Sequence, residues 1–97
     1  VTTSPVALFL NLGEGEAQFA MQAVTALRNS GVRVDLYPDN AKQAKQFTYA
    51  EKRNIPFVVT VGEQELLEGN YTIKNLISGD KTTVNLNALK DMLSDIF

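Results

Sequence analysis

Three short strand-like runs alternate with two helix-like segments in the first two thirds of the chain, and this alternation constrains the fold most strongly. Residues 6–10 and 57–61 are apolar with little alternation, as strands covered on both faces are. Residues 32–36 alternate between apolar and polar, which is typical of a strand nearer an edge. Between these runs, residues 16–30 and 41–54 have the periodicity of helices. The order predicts an α/β fold built around a parallel sheet.

The last third of the chain extends this sheet without further alternation of strands and helices. An acidic tight turn is predicted at residues 62–65, followed by strands over residues 70–76 and 82–86 that are joined by a hairpin at residues 78–80. Asn87 is the predicted N-cap of a final helix. Right-handed crossovers would place the first strand between the second and third, which creates a switch point where ligands bind in such sheets.

Composition restricts the function classes. The 97 residues suffice for one domain, domain 1–97, and the absence of Met at its start suggests a fragment of a longer chain. The chain has no Cys and no His, so disulfides, thiolate metal sites and imidazole catalysis are excluded. No apolar run approaches the roughly 18 residues of a membrane span, and none is predicted. We therefore expect no catalytic residue, no metal site and no membrane partner.

Charge is concentrated in one segment. The net charge is -2, yet residues 42–53 contain four basic residues and one acid, so this segment carries +3 and the remainder -5. At 100° per residue, one arc of about 120° is predicted to contain the basic residues and two polar neighbours, with three apolar residues opposite. The arc comprises Lys42, Lys45, Gln46, Tyr49, Lys52 and Arg53, and the opposite side comprises Ala44, Phe47 and Ala50. Such a face indicates either a nucleic-acid site or an ordinary solvated surface, and Tyr49 is either a base-stacking platform or a packing residue.

Five segments together resemble one known family. Residues 31–35, 42–52, 55–57, 62–65 and 71–76 are similar to the C-terminal anticodon-binding domain of class II histidyl-tRNA synthetases. The resemblance covers about residues 5–96, and its most specific element is the pattern Lys-x-x-Lys-Gln-x-x-Tyr-Ala-x-Lys within the second helix. It implies a three-layer α/β/α fold with a mixed five-stranded sheet.

The resemblance also implies roles for individual residues. Asn40, Glu65 and Lys74 correspond to family positions that contact anticodon bases, although the family has Arg where this chain has Lys74. A carboxylate can accept hydrogen bonds from the Watson–Crick edge of guanine, which suits Glu65 to this role. The phosphate contacts are expected from Lys42, Lys45 and Arg53. The sequence also departs from the family at Lys81, where histidyl members often have Gln.

A function of the parent protein follows from the same resemblance. The chain is expected to bind the anticodon loop of tRNA(His) for a cytoplasmic histidine–tRNA ligase, with no cofactor of its own. ATP would be bound by an upstream catalytic domain, and the parent is expected to be a homodimer. The alternatives are a protein interaction module in a synthetase paralog that no longer aminoacylates, and a small stand-alone α/β enzyme.

Overall fold

The computed structural model describes residues 5–38 and 42–94, in which five strands and four helices are found. In chain order these elements are β1 (Ala7–Phe9), α1 (Glu14–Asn29), β2 (Val34–Leu36), α2 (Gln43–Lys52), β3 (Phe57–Thr60), α3 (Glu63–Glu68), β4 (Tyr71–Asn75), β5 (Lys81–Val84) and α4 (Leu86–Ser94).

All five strands belong to one sheet in the order β2-β1-β3-β4-β5. The strands β2, β1 and β3 are parallel, whereas β4 is antiparallel to β3 and β5 is antiparallel to β4. The predicted mixed sheet is confirmed, and so is the position of the first strand between the second and third. The switch point therefore lies where β1 ends.

Helices pack on both faces of the sheet, which confirms the three-layer α/β/α architecture. On one face, α1 and α4 form a core with the sheet that includes Phe9, Leu27, Val59, Leu89 and Leu93. On the other face, α2 packs alone over a smaller core of Leu8, Leu10, Tyr37, Ala50, Ile55 and Val58. Apart from Ala50 of α2 itself, these residues lie in or beside β1, β2 and β3, so α2 packs mainly on the parallel part of the sheet.

Two helices end in the same hydrogen-bonded motif. After α1, the Gly31 N–H donates to the Arg28 carbonyl (3.0 Å) and the next N–H, of Val32, donates to the Leu27 carbonyl (2.9 Å). After α2, Asn54 occupies the position of Gly31 with φ 57°, a left-handed conformation that asparagine tolerates better than most residues. The predicted stop at Gly31 is confirmed. The second helix was also predicted to end at residue 54, and the left-handed conformation of Asn54 was not predicted.

Several element boundaries differ from the sequence-based expectations. The predicted acidic turn at residues 62–65 is the beginning of the short helix α3, which ends at Gly69 with φ 73°. The first helix begins at Glu14 rather than at residue 16. Asn87 lies inside α4, and the cap is Asn85, whose Oδ1 accepts a hydrogen bond from the Ala88 N–H (2.9 Å). The cap is therefore an asparagine two residues before the predicted one, and the predicted cap was misplaced.

Tyr71 anchors the antiparallel half of the sheet to the α1 face. Its ring stacks on Phe19 at 4.8 Å and meets Phe9 edge-on at 6.3 Å, while its hydroxyl donates to the Phe19 carbonyl at 3.4 Å. Burial raises the pKa of Tyr71 above its ordinary value of 10.0, because the ionised phenolate would lose its hydration. Alternate residues of β4, Thr72 and Lys74, consequently point to the α2 face.

Candidate nucleic-acid interface

The loop after β1 lies at the switch point and is fixed by hydrogen bonds to neighbouring elements. The Asn11 side chain donates to the Tyr37 carbonyl beyond β2 (3.3 Å) and accepts a long hydrogen bond from the Gly13 N–H (3.4 Å). The Leu10 N–H donates to the Val59 carbonyl of β3 (2.9 Å). One short loop thus ties together the carboxyl ends of three parallel strands, where ligands of α/β sheets bind.

A buried glutamine ties α2 to this loop. Gln46 is fully buried, and its side-chain amide forms two hydrogen bonds to the backbone of one residue: Oε1 accepts from the Asn11 N–H and Nε2 donates to the Asn11 carbonyl, both at 2.7 Å. Both polar ends of the side chain are satisfied, which permits its burial. The position of α2 against β1 is therefore fixed by hydrogen bonds as well as by apolar packing.

This burial corrects the predicted basic face. Gln46 was assigned to the charged arc, but it faces the sheet, and Ala44, assigned to the buried side, is exposed. Tyr49 is half-buried and packs edge-on against Tyr37 at 5.2 Å, so it is a packing residue. The exposed cations of α2 and its N-cap are Lys42, Lys45 and Lys52; the predicted single arc was wrong.

Two of these cations, Lys42 and Lys45, lie at the start of α2. Lys42 is the N-cap residue and its carbonyl accepts from the N–H groups of Lys45 and Gln46 (3.0 and 3.2 Å), while no acidic residue lies in the first turn. Cations at the positive end of a helix dipole are unfavourable for the helix itself. Their positive charge adds to that of the helix end and raises the potential available to an anionic ligand.

Arg53 lies at the other end of the helix. The ten residues of α2 separate it from Lys42, and the eleven steps between the two residues correspond to about 16 Å along the axis. Its guanidinium carbon lies 5.0 Å from the centre of the Tyr49 ring, a cation–π distance. The structure does not bring the predicted phosphate-binding residue Arg53 together with Lys42 and Lys45.

A groove lies beside α2, where the antiparallel part of the sheet has no helix over it. It has a volume of about 140 Å³ and is lined by Gln43, Phe47, Thr60, Thr72, Lys74 and Lys81. The walls are thus one edge of α2 and the exposed side of β3, β4 and β5. Ligand pockets for drug-sized molecules are larger, on the order of 300–1,000 Å³, so the groove fits a small group.

Lys74 lies half-buried on the floor of this groove. In the sheet it is directly opposite Val58 of β3 on one side and Lys81 of β5 on the other. Its ammonium nitrogen lies 5.3 Å from the centre of the Phe47 ring. The edge strand of the sheet is β5, and Lys74 faces the groove from β4, the strand beside it.

Glu65 has a structural role that the sequence pattern had not indicated. It is the third residue of α3, and its Oε1 accepts a hydrogen bond from the Gly62 N–H (3.2 Å), which is half of a capping box. The other carboxylate oxygen takes no part in this bond. Glu65 does not line the groove that contains Lys74.

Of the predicted site residues, Lys42 and Lys45 cluster at the start of α2, and Lys74 lies in the groove beside that helix. Asn40 lies outside the described residues. The sequence reasoning missed the opposed position of Lys81, because symmetric pairing about the predicted hairpin at residues 78–80 would have placed Val84 opposite Lys74, whereas the observed pairing is centred between residues 77 and 78.

Across residues 5–38 and 42–94, no group of three or more His, Cys, Asp or Glu side chains could hold a metal ion. Among the helices of the same residues, none has the length and apolar character needed to cross a membrane.

Comparison with known proteins identifies similar sequences and folds. Residues 7–96 match the model of a family described as the anticodon binding domain. The histidine–tRNA ligase of Flavobacterium johnsoniae is 46% identical over 93 residues, which cover 96% of this chain and 20% of the ligase. The chain thus spans about one fifth of the length of this relative.

Two solved structures have the same fold. The histidyl-tRNA synthetase of Nostoc superimposes with a TM-score of 0.89 and 25% identity, covering 96% of this chain and 22% of that enzyme. The RNA binding domain of threonyl-tRNA synthetase from Cryptosporidium parvum superimposes with a TM-score of 0.87 over 95% of this chain and 23% of its own, and at 17% identity it shows the fold alone.

Proposed function

We propose, since this chain belongs to the anticodon-binding domain family, that it binds the anticodon loop of tRNA(His) on behalf of a histidine–tRNA ligase. The observation that carries the proposal is the 46% identity to a histidine–tRNA ligase over 96% of the chain. The arrangement of cations supports it, because exposed lysines surround the start of α2 beside a groove that contains two more. Single-stranded loops with splayed bases are the usual targets of sequence-specific RNA recognition.

Some of these residues would position the RNA backbone, and others would recognise its bases. Lys42 and Lys45 would hold phosphates, which orients the loop without reading its sequence. Glu65 would accept hydrogen bonds from a guanine of the anticodon through the carboxylate oxygen that does not cap α3. Asn40 and Lys74 would contact further bases of the anticodon. Arg53, about 16 Å along the helix, would reach phosphates farther along the strand.

The wider role concerns the protein of which this domain would form part. The ATP-dependent joining of histidine to tRNA would take place in an upstream catalytic domain, and this domain would contribute tRNA selection with no cofactor of its own. The parent would act in the cytoplasm as a homodimer.

Binding of anticodon stem-loops to the chain tests the proposal. The histidine stem-loop, and loops in which inosine replaces one anticodon guanine at a time, are titrated at several salt concentrations against the wild type and Glu65→Gln. Inosine lacks the amino group that guanine offers to a carboxylate. Glu65→Gln should reduce the preference for guanine by about 1–3 kcal/mol. Glutamine fits the same position of a capping box, so α3 should remain folded.

Lys42→Ala serves as the complementary variant. It should weaken all loops alike and lower the salt slope by about 0.7, the value for one phosphate of a single strand. Lys90→Gln, on α4 across the sheet, is the matched control for loss of one positive charge and should change neither quantity. Binding that is equal for all loops and insensitive to salt would refute the proposed function.

A further inference from the structure

We infer that Lys74 and Lys81 together form a seat for one phosphate group of the bound RNA strand. The inference rests on the proposed function and changes the role of one residue within it, because Lys74 then holds the backbone instead of reading a base. It also assigns a binding role to Lys81. The inference rests on three observations. The two side chains line the same groove, no acidic side chain of the described chain neutralises them, and the groove has the size of a small group.

The two lysines are close because of the register of the hairpin. Lys74 is directly opposite Lys81 in the antiparallel pair of β4 and β5. The neighbouring Asn75 N–H donates to the Asp80 carbonyl, so the next pair is a non-hydrogen-bonded one, in which the Cα atoms are about 4.5 Å apart and the side chains are closest. Like charges in this arrangement are unfavourable in the free protein.

No acid in the described chain neutralises this pair. Neither lysine forms an ion pair with a described residue, and no acidic residue lines the groove. Asp80 precedes Lys81 but lines a depression on the opposite side of the sheet with Phe57 and Met92. The two ammonium groups therefore share one wall of a groove without a counter-ion from the chain.

The surroundings hold Lys74 in place and complete the groove. The Phe47 ring lies 5.3 Å from its ammonium nitrogen, and the half-buried side chain stays near the sheet. The Thr72 and Thr83 hydroxyls are 3.1 Å apart and continue the same polar face. Gln43, the first residue of α2, brings the positive end of the helix to the groove as well.

A phosphate fits this chemistry better than a base does. A neutral base edge leaves the repulsion between the two ammonium groups in place, whereas a phosphate removes it by accepting hydrogen bonds from both. Lysine also lacks the planar fork that arginine uses for bidentate contacts and acts as a point charge. A groove of about 140 Å³ admits a group of this size while the rest of the nucleotide lies outside.

The test asks whether the effect of neutralising one phosphate of the RNA depends on the presence of one lysine. Each phosphodiester of the histidine anticodon loop is replaced in turn by an uncharged methylphosphonate, and binding to the full chain is measured for the wild type, Lys81→Gln, Lys74→Gln and Lys90→Gln. We expect one position at which the replacement weakens wild-type binding roughly 3- to 10-fold and has no effect on Lys81→Gln or Lys74→Gln. Lys81→Arg should restore the effect, and Lys90→Gln should behave as the wild type.

The free protein supplies a second readout. Lys81→Gln removes a like-charge pair, so its melting temperature without RNA should rise by about 1–4 °C even though its RNA affinity falls. A purely structural role for Lys81 would lower both. Millimolar inorganic phosphate should leave RNA binding unchanged. If it displaces the RNA from the wild type but not from Lys81→Gln, the two lysines bind a free anion, and a site for an RNA phosphate is refuted.

The outcomes separate this inference from the function on which it rests. Loop binding that is selective and salt-dependent, with no methylphosphonate position coupled to Lys81, overturns the seat and leaves the proposed function standing. A loss of guanine preference in Lys74→Gln without such coupling would return Lys74 to base reading. Failure of every anticodon loop to bind refutes the function, and the seat with it.

Discussion

Replacing Gln46 with methionine tests the hydrogen-bonded link between α2 and the loop after β1. Methionine matches the length and helix propensity of glutamine but can neither donate to the Asn11 carbonyl nor accept from the Asn11 N–H. Each bond is 2.7 Å long and a typical bond contributes about 0.5–1.5 kcal/mol, so the free energy of unfolding should fall by about 1–3 kcal/mol. For a domain of this length, the melting temperature should fall by about 5–20 °C.

Denaturant unfolding followed by circular dichroism measures this loss, and hydrogen exchange of the Asn11 amide locates it. Gln22→Met is the matched control, because Gln22 is exposed on α1 and its replacement should change stability by less than about 0.5 kcal/mol. Gln46→Glu provides a sign test. The carboxylate of Glu would face the Asn11 carbonyl, so its pKa in the folded state should exceed the unfolded value of about 4.3. The loss in free energy of unfolding relative to the wild type should therefore become smaller as the pH falls. A Gln46→Met variant as stable as the control would refute this account of the link.

Two further predictions concern the backbone of α2 and the titration of β4. Asn54→Val places a β-branched residue at φ 57° and should cost about 1–2 kcal/mol in denaturant unfolding, whereas Asn54→Gly should stay within about 0.5 kcal/mol of the wild type; equal losses would refute a conformational cause. Because the pKa of Tyr71 is raised in the folded state, its contribution is complete below the unfolded value of about 10 and is lost as the pH rises through the folded value. The wild type should therefore lose stability above about pH 10 relative to Tyr71→Phe, and parallel pH profiles of the two proteins would contradict this assignment.

Periodicity and turn residues were enough to predict the strands, because these depend on which residues are apolar along the chain. The right-handed crossover rule then placed the first strand between the second and third, and the family resemblance implied the three layers. The phase of α2 could not be predicted in the same way. Hydropathy ranks Gln46 as a surface residue, whereas its hydrogen bonds to the Asn11 backbone, 35 residues away in sequence, favour its burial. Ala44 is exposed although hydropathy ranks it as apolar, and its high helix propensity suits it to an exposed helical position.

The candidate site was predictable as a region and not as a set of contacts. The charge of residues 42–53 indicated the helix that borders the groove, and the resemblance indicated Lys74. The partner of Lys74 depends on strand register, which no local pattern contains, so Lys81 was noticed as a departure from the family and not as a neighbour. The short helix α3 was missed because Gly62 and the acids after it are equally typical of a turn and of a capped helix start.

The unequal covering of the sheet follows from how its strands are connected. A strand added in parallel needs a crossover, usually a helix that returns across the sheet and covers the new strand. Here β4 follows β3 through the short helix α3, whose Leu66 packs against the core on the α1 face, and β5 follows β4 through a tight turn, so neither connection lays a helix over their α2 side. The groove thus exists because of connectivity: lengthening the turn between these strands into a helical crossover would close it, whereas changes within α1 or α4, across the sheet, would leave it open.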